Sequence, residues 1–141
     1  IVPPQTTLQE SLKNRRVSVL FFYLDDSSDS KAMAPIISGS DLIWRNNIDI
    51  IALTTDELQN KEKSDSPNEP NYYWNGLIPQ TIIINSNGEV KYDQNGMINI
   101  KELNKVIGEL KGIDLKDTEF SIESFNEYNS IISEKKEKNK T

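Results

Sequence analysis

The residues best equipped to do chemistry in this chain crowd into one loop. Asp25-Asp26-Ser27-Ser28-Asp29-Ser30 places three carboxylates and three hydroxyls in six positions, directly after the apolar run Val17 to Leu24. Oxygens of this kind suit three tasks. They cap a helix, because Ser and Asp side chains accept from the first-turn N–H groups at about 1 kcal/mol over alanine. Asp25 and Asp26 could divide acid and base roles, as neighbouring carboxyls with divergent pKa values do. Adjacent residues on an exposed loop rarely hold that geometry, so hydrolysis ranks low. Asp26, Ser28 and Ser30, spaced at every second position, also offer the hard oxygen ligands that Mg²⁺ or Ca²⁺ takes. Capping is the expected role of Ser27 and Ser30, and a solvated acidic surface that of Asp25, Asp26 and Asp29.

The rest of the composition excludes more than it offers. The 141 residues contain no cysteine and no histidine, which removes disulfides, Cys/His zinc sites, thiol catalysis and imidazole acid–base chemistry from this chain. A net charge of −6 speaks against nucleic acid, which needs a basic stripe to meet phosphates. No run approaches the ~18–20 apolar residues of a membrane span. The first residues, Ile1-Val2-Pro3-Pro4, lack a methionine, so an upstream signal or anchor removed before Ile1 is expected.

The positioning elements follow from periodicity. Leu8 and Leu12, four apart behind Thr7, predict a short helix over Thr6 to Arg16. Val17 to Leu24 and Ile48 to Leu53 read as strands covered on both faces. Between them Met33, Ile36, Ile37, Leu42, Ile43 and Trp44 suit a helix from Lys31 to about Asn46, with Pro35 expected to kink it. Strand, helix, strand implies a parallel pair. Residues 59–71 are polar and hold Pro67 and Pro70, the marks of a surface insertion ending at Tyr72-Tyr73-Trp74. Those aromatics serve as a plug over the domain or as an exposed anchor for a partner. Gln80 to Asn85 and Glu89 to Asp93 flank Ser86-Asn87-Gly88, a hairpin signal. Ile100, Leu103, Val106, Ile107 and Leu110 complete a helix, with Gly112 at its C-cap. The expected organisation is an N-terminal helix and linker remnant (1–16), an α/β domain (17–112) and a C-terminal helical extension (113–141). Phe120, Ile122, Phe125, Tyr128, Ile131 and Ile132 stripe that extension.

Two stretches together resemble the thioredoxin family. Val17 to Ile37, VSVLFFYLDDSSDSKAMAPII, is similar to its first strand, active-site loop and kinked helix, with Lys31 and Pro35 matching the family lysine and proline. The two cysteine positions then fall on Ser27 and Ser30. Gly76-Leu77-Ile78-Pro79 followed by Gln80 to Val90 resembles the family's cis-proline and hairpin segment, which makes Ile78–Pro79 the expected cis bond. The similarity spans about Val17 to Leu110 and implies a thioredoxin-like fold: a mixed sheet with a parallel strand–helix–strand half and an antiparallel hairpin half. It also implies a peptide groove lined by Ser27, Ser28, Asp29, Ser30, Trp74, Ile78 and Pro79. A serine hydroxyl at a helix N-terminus has no accessible anion, whereas a thiol there falls to about 3.5–7.5. Without a thiolate no mixed disulfide forms. Dithiol exchange is excluded, and no cofactor is expected.

A narrower resemblance joins FYLDDSSDSKAMAP, YYWNGLIPQTIII and SFNEYNSII. It is to a cyanobacterial thylakoid membrane family of redox-inactive thioredoxin-like proteins, the photosystem I accumulation factors. That resemblance implies an assembly or stabilisation factor whose partners are polypeptides, photosystem I subunits among them, tethered through a segment absent from this chain. The alternative is a cation-dependent adhesion module: Asp26-x-Ser28-x-Ser30 after an apolar strand matches the start of the metal-ion-dependent adhesion site in von Willebrand A-type domains. Against it, such domains are longer and mainly parallel. The loop also lacks the glycine and distal glutamate of an EF-hand.

Overall fold

The computed structural model describes residues 6–58 and 62–113. Thr7 opens the first helix, α1 (Leu8–Lys13), its hydroxyl accepting from the Glu10 N–H at 3.1 Å. This helix is shorter than the predicted Thr6 to Arg16, because Arg15 turns into the left-handed region at φ 54° and the chain reverses. The reversal brings Arg16 to the far side of the first crossover. Its Nε meets Asp49 Oδ2 at 3.0 Å and its Nη2 donates to the Asn46 carbonyl at 2.6 Å.

The sheet has four strands. β1 (Val17–Tyr23) runs into α2 (Ser28–Trp44), which returns the chain to β2 (Ile48–Thr54), parallel to β1 and paired from Val17–Ile48 to Tyr23–Thr54. β3 (Gln80–Ile84) lies antiparallel on the other side of β1, and β4 (Val90–Asn95) antiparallel to β3. The order is β2-β1-β3-β4, the mixed sheet the periodicity predicts. Asn85 closes the hairpin: its Oδ1 accepts from the N–H groups of Asn87 and Glu89 at 3.0 and 2.9 Å. Gly88 takes the left-handed position at φ 85°, where a side chain would be strained. β4 begins at Val90 and runs on to Asn95, with a register shift opposite Ile83 and Ile84. α3 (Ile100–Lys111) is capped by Asn99, whose Oδ1 accepts from Lys101 N–H at 2.8 Å, and ends at Gly112 with φ 66°.

Alternation along β1 divides the core. Val17, Val19 and Phe21 face α2 and α3, meeting Met33, Ile37, Trp44, Leu103 and Ile107. Leu20 and Phe22, with Ile51, Ile82 and Ile84, face Leu8 of α1. Both sides of β1 are therefore buried, which explains its continuous apolar run. Asn104, fully buried in α3, ties the two helices: its Oδ1 accepts from Trp44 Nε1 at 2.9 Å and Ser40 Oγ at 3.3 Å. Pro35 lies inside α2. Ile113 packs against the α2–α3 core, whereas the predicted helical extension over 114–141 lies outside the described residues, as do 1–5 and 59–61. Among the described residues no helix is long and apolar enough to cross a membrane.

Tyr92 of β4 is buried on the α2–α3 side, and its hydroxyl has no partner among the described residues. Burial first, and then the charge of Glu102, pushes its pKa up to about 12. In the unfolded chain a tyrosine ionises near 10. Between about pH 10 and 12 the unfolded chain thus gives up a proton that the folded chain keeps, and stability falls as pH rises. Tyr92→Phe is expected to be at least as stable as the parent at pH 8, since it removes an unpaired buried hydroxyl. Its urea midpoint should fall less steeply above pH 10. Parallel decline of the two proteins would contradict this account.

Candidate functional site

The end of the sheet where β1 stops and β3 starts gathers the predicted site. Phe22 pairs with Gln80, the first residue of β3, so the strand end at Tyr23 and the segment before Gln80 lie at one end of the sheet. The Ile78–Pro79 bond is cis, as the family resemblance implies. The hydroxyl loop leaves β1 at the same end. Ser27 caps α2: its Oγ accepts from Ser30 N–H at 3.3 Å, and its carbonyl accepts from Lys31 N–H at 3.0 Å. Ser30 turns inward, 2% exposed, and its Oγ accepts from Leu24 N–H at 3.2 Å. Both hydroxyls that stand at the family's cysteine positions are spent on holding strand end to helix start.

A second set of side chains holds the cis-prolyl segment. Gln80 is fully buried, its Oε1 accepting from Asn75 N–H at 3.0 Å. Its Nε2 donates to the Tyr73 carbonyl at 3.1 Å and to Asp93 Oδ1 at 3.0 Å. Asn75 and Asn95 exchange amide hydrogen bonds at 2.7 and 3.2 Å. Trp74 Nε1 and Asn95 Nδ2 both donate to the Leu77 carbonyl, at 3.2 and 3.4 Å, while Leu77 N–H donates to Asn75 Oδ1 at 3.0 Å. Gly96 N–H adds a bond to the Pro79 carbonyl at 2.8 Å. Ile78, between these anchored neighbours, has neither its N–H nor its C=O bonded among the described residues. Leu77 beside it is 62% exposed and Met97 51%.

The predicted groove residues therefore divide. Ser28 and Asp29 face solvent, Ser27, Trp74 and Ile78 are half-buried, and Pro79 and Ser30 are buried. Ser30 is a correction: a buried hydroxyl engaged under Leu24 cannot line a groove. Trp74 and Tyr73 pack on the α1 side of the core, and Tyr73 Oη donates to the Pro67 carbonyl at 2.6 Å. The plug reading holds for these two, while Tyr72 stays exposed. Burial, then Tyr72, raises the Tyr73 pKa. For the cation alternative, Ser30 is buried with its Oγ on the Leu24 N–H, while Asp26 and Ser28 face solvent. Among the described residues no three acidic side chains cluster around a metal position.

Sequence reasoning missed Gln80, Asn75, Asn95, Leu77 and Met97. The available signal was the pair of Asn-Gly steps, Asn75-Gly76 and Asn95-Gly96. Both glycines take left-handed φ, 90° and 82°, so each step is a turn that presents its asparagine to the other.

Comparison with solved structures finds Fasciola hepatica thioredoxin at a TM-score of 0.55 and 14% identity, over 73% of this chain and 90% of that one. This chain has a thioredoxin-like fold. The thioredoxin-like chain is also 32% identical over 136 residues to the thylakoid membrane protein slr1796 of Synechocystis sp.. That match takes in 94% of this chain and 66% of the relative's length. No family model matches the sequence.

The web around Gln80 should outweigh the cap at Ser27. Gln80→Ala strips partners from Asn75 N–H and the Tyr73 carbonyl and empties a buried volume, an expected loss of about 2 kcal/mol or more. Ser27→Ala removes one half-exposed cap, about 1 kcal/mol. Urea denaturation of both variants checks the order, and equal losses would contradict it.

Proposed function

We propose that this thioredoxin-like chain binds other polypeptides at its cis-prolyl edge and serves as an assembly or stabilisation factor. The observation that carries the reading is the main chain of Ile78, whose N–H and C=O have no partner among the described residues. It follows the exposed Leu77 in a segment held by Trp74, Asn75, Gln80 and Asn95. An extended segment can add to such a backbone as one more strand, with main-chain bonds giving affinity and loose sequence preference. The chain does this without covalent capture. It has no cysteine, and a hydroxyl cannot form the mixed disulfide through which thiol exchange proceeds. Release is then governed by noncovalent off-rates alone, which suits a factor that holds a subunit and hands it on.

The relative named as a thylakoid membrane protein supports placing this activity at that membrane, with attachment through a segment outside these 141 residues. The resemblance of the hydroxyl loop, the cis-prolyl stretch and the SFNEYNSII stretch to photosystem I accumulation factors supports photosystem I subunits as the polypeptides held.

Leu77→Asp gives the cleanest test, because the side chain is exposed and its loss should leave the melting temperature unchanged. Capture of extended client segments is expected to drop about tenfold or more, the weight of one central apolar anchor. Trp74→Ala and Pro79→Ala should weaken capture as well, with some loss of stability because both side chains pack inward. Unchanged pull-down from all three variants would count against the site.

A further inference from the structure

Charge is distributed unevenly between the two ends of the sheet. At the hairpin end, Arg16 pairs with Asp49 at 3.0 Å and Lys91 with Glu89 at 3.5 Å. At the cis-prolyl end the balance differs. Residues 17–30 and 64–90, which supply β1, the hydroxyl loop, the cis-prolyl segment and β3, contain no lysine or arginine. Asp25, Asp26 and Asp29 all face solvent there. None of the three has an ion pair or hydrogen bond among the described residues. Lys31, exposed in the first turn of α2, is the cation nearest to them in sequence, and Lys63 precedes the plug segment. Asp93 on the far side is bonded to Gln80. Three carboxylates against Lys31 leave the loop acidic, at the sheet end where β3 begins after the unbonded Ile78 and where Leu77 and Met97 are exposed.

We propose that the occupant of this edge is an extended polypeptide segment carrying an apolar side chain flanked by lysine or arginine. The apolar residue covers Leu77 and Met97, the main chain bonds to Ile78, and the basic flank lies along Asp25, Asp26 and Asp29. The inference rests on the polypeptide-binding reading above and adds to it the chemistry of the partner. Exposed ion pairs each contribute about two- to fivefold in affinity, so three together give roughly tenfold at low ionic strength. Most of the effect belongs to the association rate, because a field of one sign steers a partner of the other. Raising salt shortens its reach from about 30 Å at 0.01 M to about 10 Å at 0.1 M.

Fluorescence anisotropy of the 141-residue chain with labelled peptides tests this. The peptides share one extended apolar centre and differ only in flanks of lysine, glutamine or glutamate. The lysine-flanked peptide should bind about tenfold tighter than the glutamine-flanked one near 0.01 M salt, and the glutamate-flanked one weakest. The differences should shrink by 0.3 M, and Asp25→Asn/Asp26→Asn/Asp29→Asn should abolish them. Asp25→Asn/Asp26→Asn, which leaves the helix start untouched, provides the same readout at smaller size should the triple variant unfold. Equal affinity of the three peptides, or a lysine preference that survives the acidic-loop variants, overturns the charge proposal. If Leu77→Asp still weakens every peptide in that case, the edge keeps its role as a polypeptide site. Failure of all peptides to bind, or indifference to Leu77→Asp, sinks the polypeptide reading itself.

Discussion

Backbone polar groups at the end of a sheet must find partners, and in this chain side chains supply most of them. Ser30 answers Leu24, Ser27 answers Ser30, and Gln80 answers Asn75 and Tyr73. Asn75, Asn95 and Trp74 between them answer both polar groups of Leu77. A buried or half-buried group left unpaired costs on the order of 1–3 kcal/mol, so these amides and hydroxyls decide where the loops can rest. Ile78 is the place where the pattern stops. Its neighbours are anchored, while its own N–H and C=O have no partner among the described residues.

The serines acquire a meaning from that arrangement. In a thiol-active relative the loop would hold a nucleophile at a helix N-terminus. Here the same positions carry small acceptors that fasten the strand end to the helix start. Without a thiol the chain has no dithiol exchange chemistry, yet it has the cis-prolyl bond, the serine-capped helix start and the left-handed glycines 76 and 96.

Local chemistry was legible in the sequence, and long-range chemistry was not. Thr7, Ser27 and Gly112 cap helices where residue type and spacing place them, because a cap and its partner lie within four residues. The hairpin is local in the same sense, whereas the Ile78–Pro79 cis bond was expected only through the family resemblance. Gln80 gave no such signal. It bonds to Asp93 thirteen residues on, and its burial follows only from the sheet closing over it with the Tyr73–Trp74 plug. Asn104 likewise reads as a surface helix residue until α2 brings Trp44 to it from sixty residues away. Arg15 ended α1 early through a left-handed turn that no glycine or asparagine announced. The sequence named Ser27 to Ser30, Trp74, Ile78 and Pro79 together, but sorting them into buried Ser30 and Pro79, half-buried Ser27, Trp74 and Ile78, and exposed Ser28 and Asp29 needed the packing.

Hydrogen–deuterium exchange, read at single-amide resolution with and without a bound extended peptide, tests the central claim most directly. The free chain should exchange Ile78 quickly, with Leu77 slower because its N–H is bonded to Asn75, and peptide should protect Ile78 strongly. Binding that leaves Ile78 as fast as before, with protection appearing along β2 or α3 instead, would contradict the account.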